Sequence, residues 1–302
     1  MPATPIRSWI LVSGNRRESY TVRRFSQTAR ECGVCVQPVV PGAFDIITTK
    51  EGRKSIYYEG KLTEMADCLI PRMGSATTYF ALAVIRHLER LGVFVLNSSL
   101  SIETARDKLA TMQILAANSI PTPKTMLAKF PLSFDIVEKE FSYPIVIKTV
   151  SGSHGKGVFL CNTRTQLEDI ANLIEVSRDP RVNVIIQEFI RTSRGRDIRV
   201  LLVGGRPIGA MVRTAKQDSF KANYTAGGSV APFTMNAEVE WLAVEAASLV
   251  GLDIAGVDIL FDGDSYSVCE INSSPGFEGF EYATGIDVPK EIFRYLSLRL
   301  GQ

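Results

Sequence analysis

From the N-terminus, the chain sets short continuous apolar runs against amphipathic stretches, in alternation. Residues 9–12 and 34–40 are strand-like, 20–31 and 77–91 repeat apolar positions by threes and fours as helices do, and 93–96 returns to a strand. That order is the βαβ rhythm of an open parallel sheet. Asn97, Ser98 and Ser99 make a polar break, after which 102–118 reads as one helix ended by Pro121 and Pro123. Between 126 and 189, short strands at 145–149, 158–161 and 184–187 and a helix at 165–176 suggest a small α+β unit. From Asp197 onward the pattern gives two strands joined at Gly204 and Gly205, a helix at 237–250, a hairpin around Asp262, Gly263 and Asp264, and a terminal helix at 288–300. Three subdomains are expected, at 1–98, 99–190 and 191–302, with no internal repeat.

A length of 302 residues is enough for two or three packed subdomains. The 34 Lys and Arg against 32 Asp and Glu leave a net charge of only +2, which gives no global field for nucleic acid or an anionic membrane. Any anion must be held locally. The cysteines, Cys32, Cys35, Cys68, Cys161 and Cys269, are odd in number and scattered, as in a reduced cytoplasmic protein. Cys32 and Cys35 form a CxxC, but no second Cys or His pair completes a zinc site, so a helix end and a strand start explain them. No stretch reaches about 18 apolar residues and no signal-peptide core opens the chain, so it reads as soluble.

Against this background two segments carry chemistry. In PIVIKTVSGSHGKGVFL an apolar strand ends in Lys148, a loop with Gly152, Gly155 and Gly157 follows, and a second strand begins at Val158. Glycines between strands let backbone N–H groups approach phosphate oxygens, and a strand-end lysine adds a point charge. The spacing is neither Walker A nor GxGxxG; the plain alternative is a glycine-rich hairpin with a solvated lysine. In GVDILFDGDSYSVCEIN, a turn centred near Gly263 sets Asp258 opposite Val268, with Glu270 and Asn272 on the same face. Val257, Ile259, Phe261, Cys269 and Ile271 then form the apolar face. Two carboxylates on one face repel unless a cation sits between them, and magnesium takes carboxylate and amide oxygens. The plain alternative is a hairpin with a solvated outer face. Between the two segments, Asp197, Arg199 and Arg213 lie on strands, where a guanidinium binds carboxylate or phosphate bidentately or serves as an edge-strand charge.

Taken in order, IPRMGSATTYFALAVIRHLERLG, ARDKLATMQILAANSIPTP, KTVSGSHGKGV, QEFI, GRDIRVLLVGG, KANYTAGG, AGVDIL and CEINSSPGFEGFEYATGID resemble the ATP-grasp superfamily and, within it, the RimK-type α-L-glutamate ligases. The resemblance covers nearly the whole chain and rests on the joint order of individually weak motifs. It implies α/β and α+β architecture: an ATP-grasp fold with an N-terminal Rossmann-like (pre-ATP-grasp) domain, and two further subdomains that hold ATP between them. It implies that Lys108 and Lys148 contact nucleotide phosphates, that the loop with Gly155 and Gly157 closes over them, and that Glu188 and Phe189 form the hinge beside adenine and ribose. Asp197, Lys221, Ala222 and Asn223 would line the nucleotide site too. Asp258, Glu270 and Asn272 would bind magnesium, with manganese as a substitute. The implied reaction is carboxylate–amine ligation through an acyl phosphate, with Arg213 stabilising that intermediate. Arg72, Arg199 and Ser274 would bind substrate: glutamate, and a peptide, protein or amino-acid carboxylate. His154 and Lys156 look closer to animal N-acetylaspartylglutamate synthetases, whereas SSPGFEGFE looks bacterial, so an N-acylated amino acid stays open as acceptor. A small-molecule kinase of the same fold is the other alternative. A homo-oligomer without nucleic-acid or membrane partners is expected.

Overall fold

The computed structural model describes residues 5–14, 18–50, 55–150, 157–177, 183–216, 219–220, 222 and 227–301. The first part runs β1 (Ile6–Leu11), α1 (Tyr20–Ala29), β2 (Val34–Val39), β3 (Phe44–Asp45), β4 (Ser55–Tyr58), β5 (Lys61–Glu64), β6 (Cys68–Pro71), α2 (Tyr79–Arg90) and β7 (Phe94–Val95). All pairings in the sheet β2-β1-β6-β7 are parallel, as the βαβ rhythm requires. The antiparallel meander β3-β4-β5 is an addition to the sequence expectation. Its strands have only two to four residues, too few to show a period. Cys32 closes a turn after α1 and Cys35 lies in β2, so the CxxC is a helix end and a strand start.

Residues 102–118 form two helices, not one: α3 (Ser99–Arg106) and α4 (Lys108–Ala117). Asp107 between them has φ −89° and ψ 100°, outside the helical region, and its carboxylate accepts a 3.0 Å hydrogen bond from the Ala110 N–H. The apolar period continues through the break and conceals it; the visible signal is an N-cap residue inside the run. After α4 come β8 (Thr125–Leu127), α5 (Phe134–Glu140), β9 (Ile145–Thr149), β10 (Val158–Cys161), α6 (Arg164–Ser177) and β11 (Val184–Glu188). The strands make the antiparallel sheet β10-β9-β11-β8. Ile145, Ile147, Val184 and Ile186 face a core shared with Val137 of α5 and Leu167 of α6. By alternation Val146, Lys148 and Gln187 face the other way, into a cleft.

The last part runs β12 (Arg196–Val203), β13 (Arg206–Thr214), β14 (Ser229–Pro232), α7 (Ala237–Val250), β15 (Ile254–Asp262), β16 (Ser265–Asn272), α8 (Glu278–Thr284) and α9 (Val288–Leu300), with sheet order β14-β13-β12-β15-β16. Along β12, Ile198, Val200 and Leu202 are buried under α7, where Met112 and Leu115 of α4 join the same core. On the opposite face, Leu201 and Val203 pack with α1, α8 and α9, while Asp197 and Arg199 reach the cleft. One strand face is thus apolar at one end and charged at the other. Phe25 of α1, Phe277 and Phe293 of α9 meet edge to face at 6.0 and 5.5 Å between centroids. Each fully buried ring stabilises the contact by about 2–3 kcal/mol. Because Phe277 follows Pro275 and Gly276, this packing also fixes a loop of the cleft.

Candidate active site

A cleft of about 380 Å³ lies between the open face of the central sheet and the charged end of the C-terminal sheet. Strand register assembles its floor. Arg213 of β13 is opposite Asp197 of β12, and Arg199 of β12 is opposite Asp258 of β15, which is in turn opposite Glu270 of β16. Residues that oppose each other share a face, so five charged side chains form a continuous strip. Arg213 holds Asp197 bidentately at 2.6 and 2.7 Å, and Arg199 holds Asp258 at 2.7 and 2.6 Å. Arg213 also reaches Asp258 at 3.0 Å.

These pairs set the protonation states of the strip. Burial by itself raises the Asp258 carboxyl, but the charges of Arg199 and Arg213 and their hydrogen bonds carry it below the ordinary carboxylate range. Asp197 moves the other way: burial dominates, Asp258 repels it, and Arg213 compensates only in part. Burial would lower the Arg213 guanidinium, yet Asp258 and Asp197 together hold its proton more tightly than usual.

The hairpin register differs from the sequence expectation. The turn is Gly263–Asp264, since Asp262 pairs with Ser265, and a bulge between Asp258 and Ile259 shifts the ladder again. Asp258 therefore opposes Glu270, not Val268, and Cys269 is the extra residue. The bulge exchanges two faces: Val268 enters the core, whereas Cys269, expected in the core, lines the cleft. Burial pushes the Cys269 thiol up, so it stays protonated at neutral pH. Asp258, Glu270 and Asn272 still share the cleft face.

As a magnesium site, this donor set is divided. The Asn272 amide nitrogen donates to the Gly256 carbonyl at 3.3 Å and to Asp258 at 3.4 Å, which leaves its oxygen to a hard cation. Among the described residues, the ion pair of Glu270 is with Lys108, at 3.5 Å, a contact loose enough to yield. Asp258 is committed: Arg199, Arg213 and Asn272 occupy both its oxygens. The cation that relieves the carboxylate repulsion is here a guanidinium. Glu270 and Asn272 fit magnesium as they stand, and Asp258 would join them only if an arginine gave up a bond. Among the described residues, no group of three or more His, Cys, Asp or Glu side chains forms a separate metal cluster.

The remaining expected residues fall around this floor. Lys148, next to last in β9, is 6 % exposed, lines the cleft, and has no hydrogen-bond or ion-pair partner among the described residues. Gly157 has φ +73° and stands where a Cβ would come within 3.1 Å of the Thr149 side chain. Glu188, the last residue of β11, and Phe189 after it line the cleft, with Phe189 edge-on to Phe220 at 6.4 Å; Ala222 lines it too. Gly155, Lys221 and Asn223 lie outside the described residues. Arg72 is buried, donates to the Pro275 carbonyl and stacks over Phe277 at 5.5 Å; Ser274 lines the same wall.

Sequence reasoning missed several contributors besides Cys269. Gln187 and Arg106 line the cleft. Asn97 does not, but it positions what does. Its amide, 1 % exposed, donates to the carbonyls of Ile254 at 2.7 Å and Ser273 at 2.8 Å and accepts from the Ile254 N–H at 2.8 Å. It thereby clamps both ends of the hairpin that carries Asp258, Glu270 and Asn272. The polar break after 93–96 was the available signal. Gly256 allows a second close approach, because a Cβ there would lie 2.6 Å from Pro275 Cβ.

This site sits in a chain whose residues 9–102 match the RimK PreATP-grasp domain and whose residues 105–296 match the RimK-like ATP-grasp domain. The chain belongs to the RimK-like ATP-grasp family. A probable alpha-L-glutamate ligase of Serratia proteamaculans is 36 % identical over 281 residues, 93 % of this chain and 92 % of that one. The ribosomal protein bS6–L-glutamate ligase of Escherichia fergusonii is 36 % identical, over 92 % of this chain and 91 % of that one. Solved structures share the fold. The ATP-grasp ligase PsnB, complexed with a phosphomimetic variant of minimal precursor, Mg and ADP, matches at a TM-score of 0.74 and 20 % identity, over 96 % of this chain and 98 % of that one. D-cycloserine synthetase DcsG matches at 0.72 and 16 %, over 97 % and 99 %. This RimK-like protein is an ATP-dependent ligase that forms C–N bonds, and its family uses ATP and magnesium. Among the described residues, no helix is long and apolar enough to cross a membrane.

Proposed function

We propose that this ligase joins L-glutamate, through its amine, to the C-terminal carboxylate of a peptide, a protein or another glutamate. The observation that carries the anion chemistry is Lys148, a nearly buried ammonium with no counter-ion among the described residues. An unpaired buried charge costs several kcal/mol, which an arriving phosphate offsets. When bound, ATP supplies the phosphoryl group that makes a carboxylate an acyl phosphate, and magnesium, or manganese in its place, offsets charge on the phosphates. Lys108 and Lys148 line the cleft and would hold phosphates, with Gly157 after the glycine-rich loop serving the same end, and Glu188, Phe189 and Ala222 would take the base and ribose. Glu270 and Asn272 would hold the metal.

Arg213 acts on the reacting centre. Asp197 fixes its fork from one side, so its charge is already oriented when a negative oxygen develops, and no reorganisation is needed. Arg199 has Nε and Nη2 on Asp258, which leaves the Nη1 side for a substrate oxygen. Arg72 and Ser274 stand on the wall next to Pro275, where an amino-acid carboxylate would dock. Glutamate as donor is supported by relatives named alpha-L-glutamate ligases, and a protein acceptor by the relative named for ribosomal protein bS6.

The test incubates enzyme, ATP and magnesium with each amino acid, alone and with a glutamate-ended peptide, and follows phosphate release and product mass. Glutamyl additions that require a free C-terminus are expected. Preference for a neutral or basic amino acid would overturn the substrate, and phosphate transfer without amide formation would overturn the ligation.

A further inference from the structure

We infer that the break between α3 and α4 is a device of the active site, and that Arg106 is a binding residue for an anionic oxygen pair of a reactant in the cleft. In a continuous helix, residues two apart point about 200° from each other, so they cannot line the same pocket. Arg106 and Lys108 are two apart and both line the cleft. They do so because Asp107, with φ −89° and ψ 100°, ends one helix and caps the next. The chain turns at the one residue where turning brings two cations to the same wall.

The two cations are not equivalent. Lys108 faces Glu270 at 3.5 Å and shares the electrostatics of the hairpin. Arg106 is half-buried at the C-terminal end of α3 and has neither a hydrogen bond nor an ion pair with any described residue. The other arginines of the floor are spoken for: Arg199 by Asp258, Arg213 by Asp197 and Asp258. A guanidinium without a hydrogen bond or ion pair among the described residues has its donors available to a ligand. Its planar fork matches two oxygens of a carboxylate or a phosphate. Both groups enter this cleft if the proposed reaction is right, and the inference rests on that reading for their presence.

The experiment uses Arg106→Gln and Arg106→Lys in the full chain. Thermal unfolding of both should match the parent, since no internal bond is lost. Three quantities are then compared: binding of a non-hydrolysable ATP analogue, KM for L-glutamate or whichever amino acid the enzyme prefers, and KM for a glutamate-ended peptide. A selective loss of about tenfold or more with Gln in any one of them, smaller with Lys, supports the role and names the oxygen pair as phosphate, amino-acid carboxylate or acceptor carboxylate. Unchanged values for all three would overturn it. A lowered unfolding temperature with a uniform loss of activity would also overturn it, by showing a structural role. Preference for another amino acid would defeat the glutamate reading while leaving these comparisons intact.

Discussion

Asp258→Asn separates two accounts of the cleft floor by the sign of a stability change. The Asp258 carboxylate accepts from Arg199 at 2.7 and 2.6 Å, from Arg213 at 3.0 Å and from Asn272 at 3.4 Å. An amide keeps one acceptor and turns an NH2 group against a guanidinium, leaving two buried arginines with Asp197 alone. Removing one partner of such a pair costs about 3–5 kcal/mol. At roughly 2 °C per kcal/mol for a chain of this size, the metal-free variant should unfold about 6–10 °C lower. If Asp258 were instead a free carboxylate facing Glu270, removing its charge would relieve repulsion and raise the unfolding temperature. Glu270→Gln is the internal control. Its Lys108 contact is 3.5 Å long with side chains 13 and 32 % exposed, worth less than about 1 kcal/mol. The assay is calorimetric unfolding in a chelator. An Asp258→Asn midpoint at or above the parent would refute the ion-pair account. The pH dependence has the same origin: the Asp258 contribution is full above the unfolded carboxylate pKa and is lost as pH falls through the lowered folded value.

Two further outcomes are expected. Asn97→Ala leaves the Ile254 and Ser273 backbone groups without partners, at a cost of about 2 kcal/mol or more, and should raise the magnesium concentration needed for half-maximal turnover, because Ser273 adjoins Asn272; an unchanged metal requirement in the folded variant would contradict the clamp. Burial first, and then the hydrogen bond to Glu281, push the Tyr20 phenol up to about 12, so its stabilising contact is intact below pH 10 and lost as pH rises through about 12; the ultraviolet titration difference between the parent and Tyr20→Phe should show that late ionisation, and a difference centred near 10 would rule it out.

How far the sequence reached depended on the length scale of each feature. Helices at 237–250 and 288–300 and strands at 145–149 and 158–161 coincide with α7, α9, β9 and β10, because Gly or polar residues bound each apolar pattern. The seven-residue helices α5 and α8 and the meander β3-β4-β5 are shorter than the windows that reveal a period. Asp107 and Cys269 are single-residue events, a cap within a helical run and a bulge within a strand. Each redirects side chains without disturbing the surrounding hydrophobicity. Lys148 was legible because a charge that ends an apolar strand is conspicuous. The Arg199–Asp258 pair was not, since it depends on β12 lying beside β15, 59 residues on. One trace of it exists in RDIRV: opposite charges at alternate positions, flanking fully buried Ile198 and Val200, imply partners on neighbouring strands.

The charges of the cleft divide by what they already hold. Its described lining includes seven cations, Arg72, Arg106, Lys108, Lys148, Arg196, Arg199 and Arg213, against four carboxylates, Glu188, Asp197, Asp258 and Glu270. That excess of three exceeds the +2 of the entire chain, so the positive field is local. Arg199 and Arg213 are bound to Asp258 and Asp197, and this rigid pairing holds their orientation before any reactant arrives. Lys148 and Arg106, by contrast, come from the other walls and carry no internal counter-ion among the described residues. The proposed reaction, which joins two carboxylate-bearing molecules at the expense of a polyphosphate, would need both kinds. Oriented cations act where charge develops, and uncommitted ones balance charge that is brought in. The strand register supplies the first kind and the break at Asp107 contributes to the second.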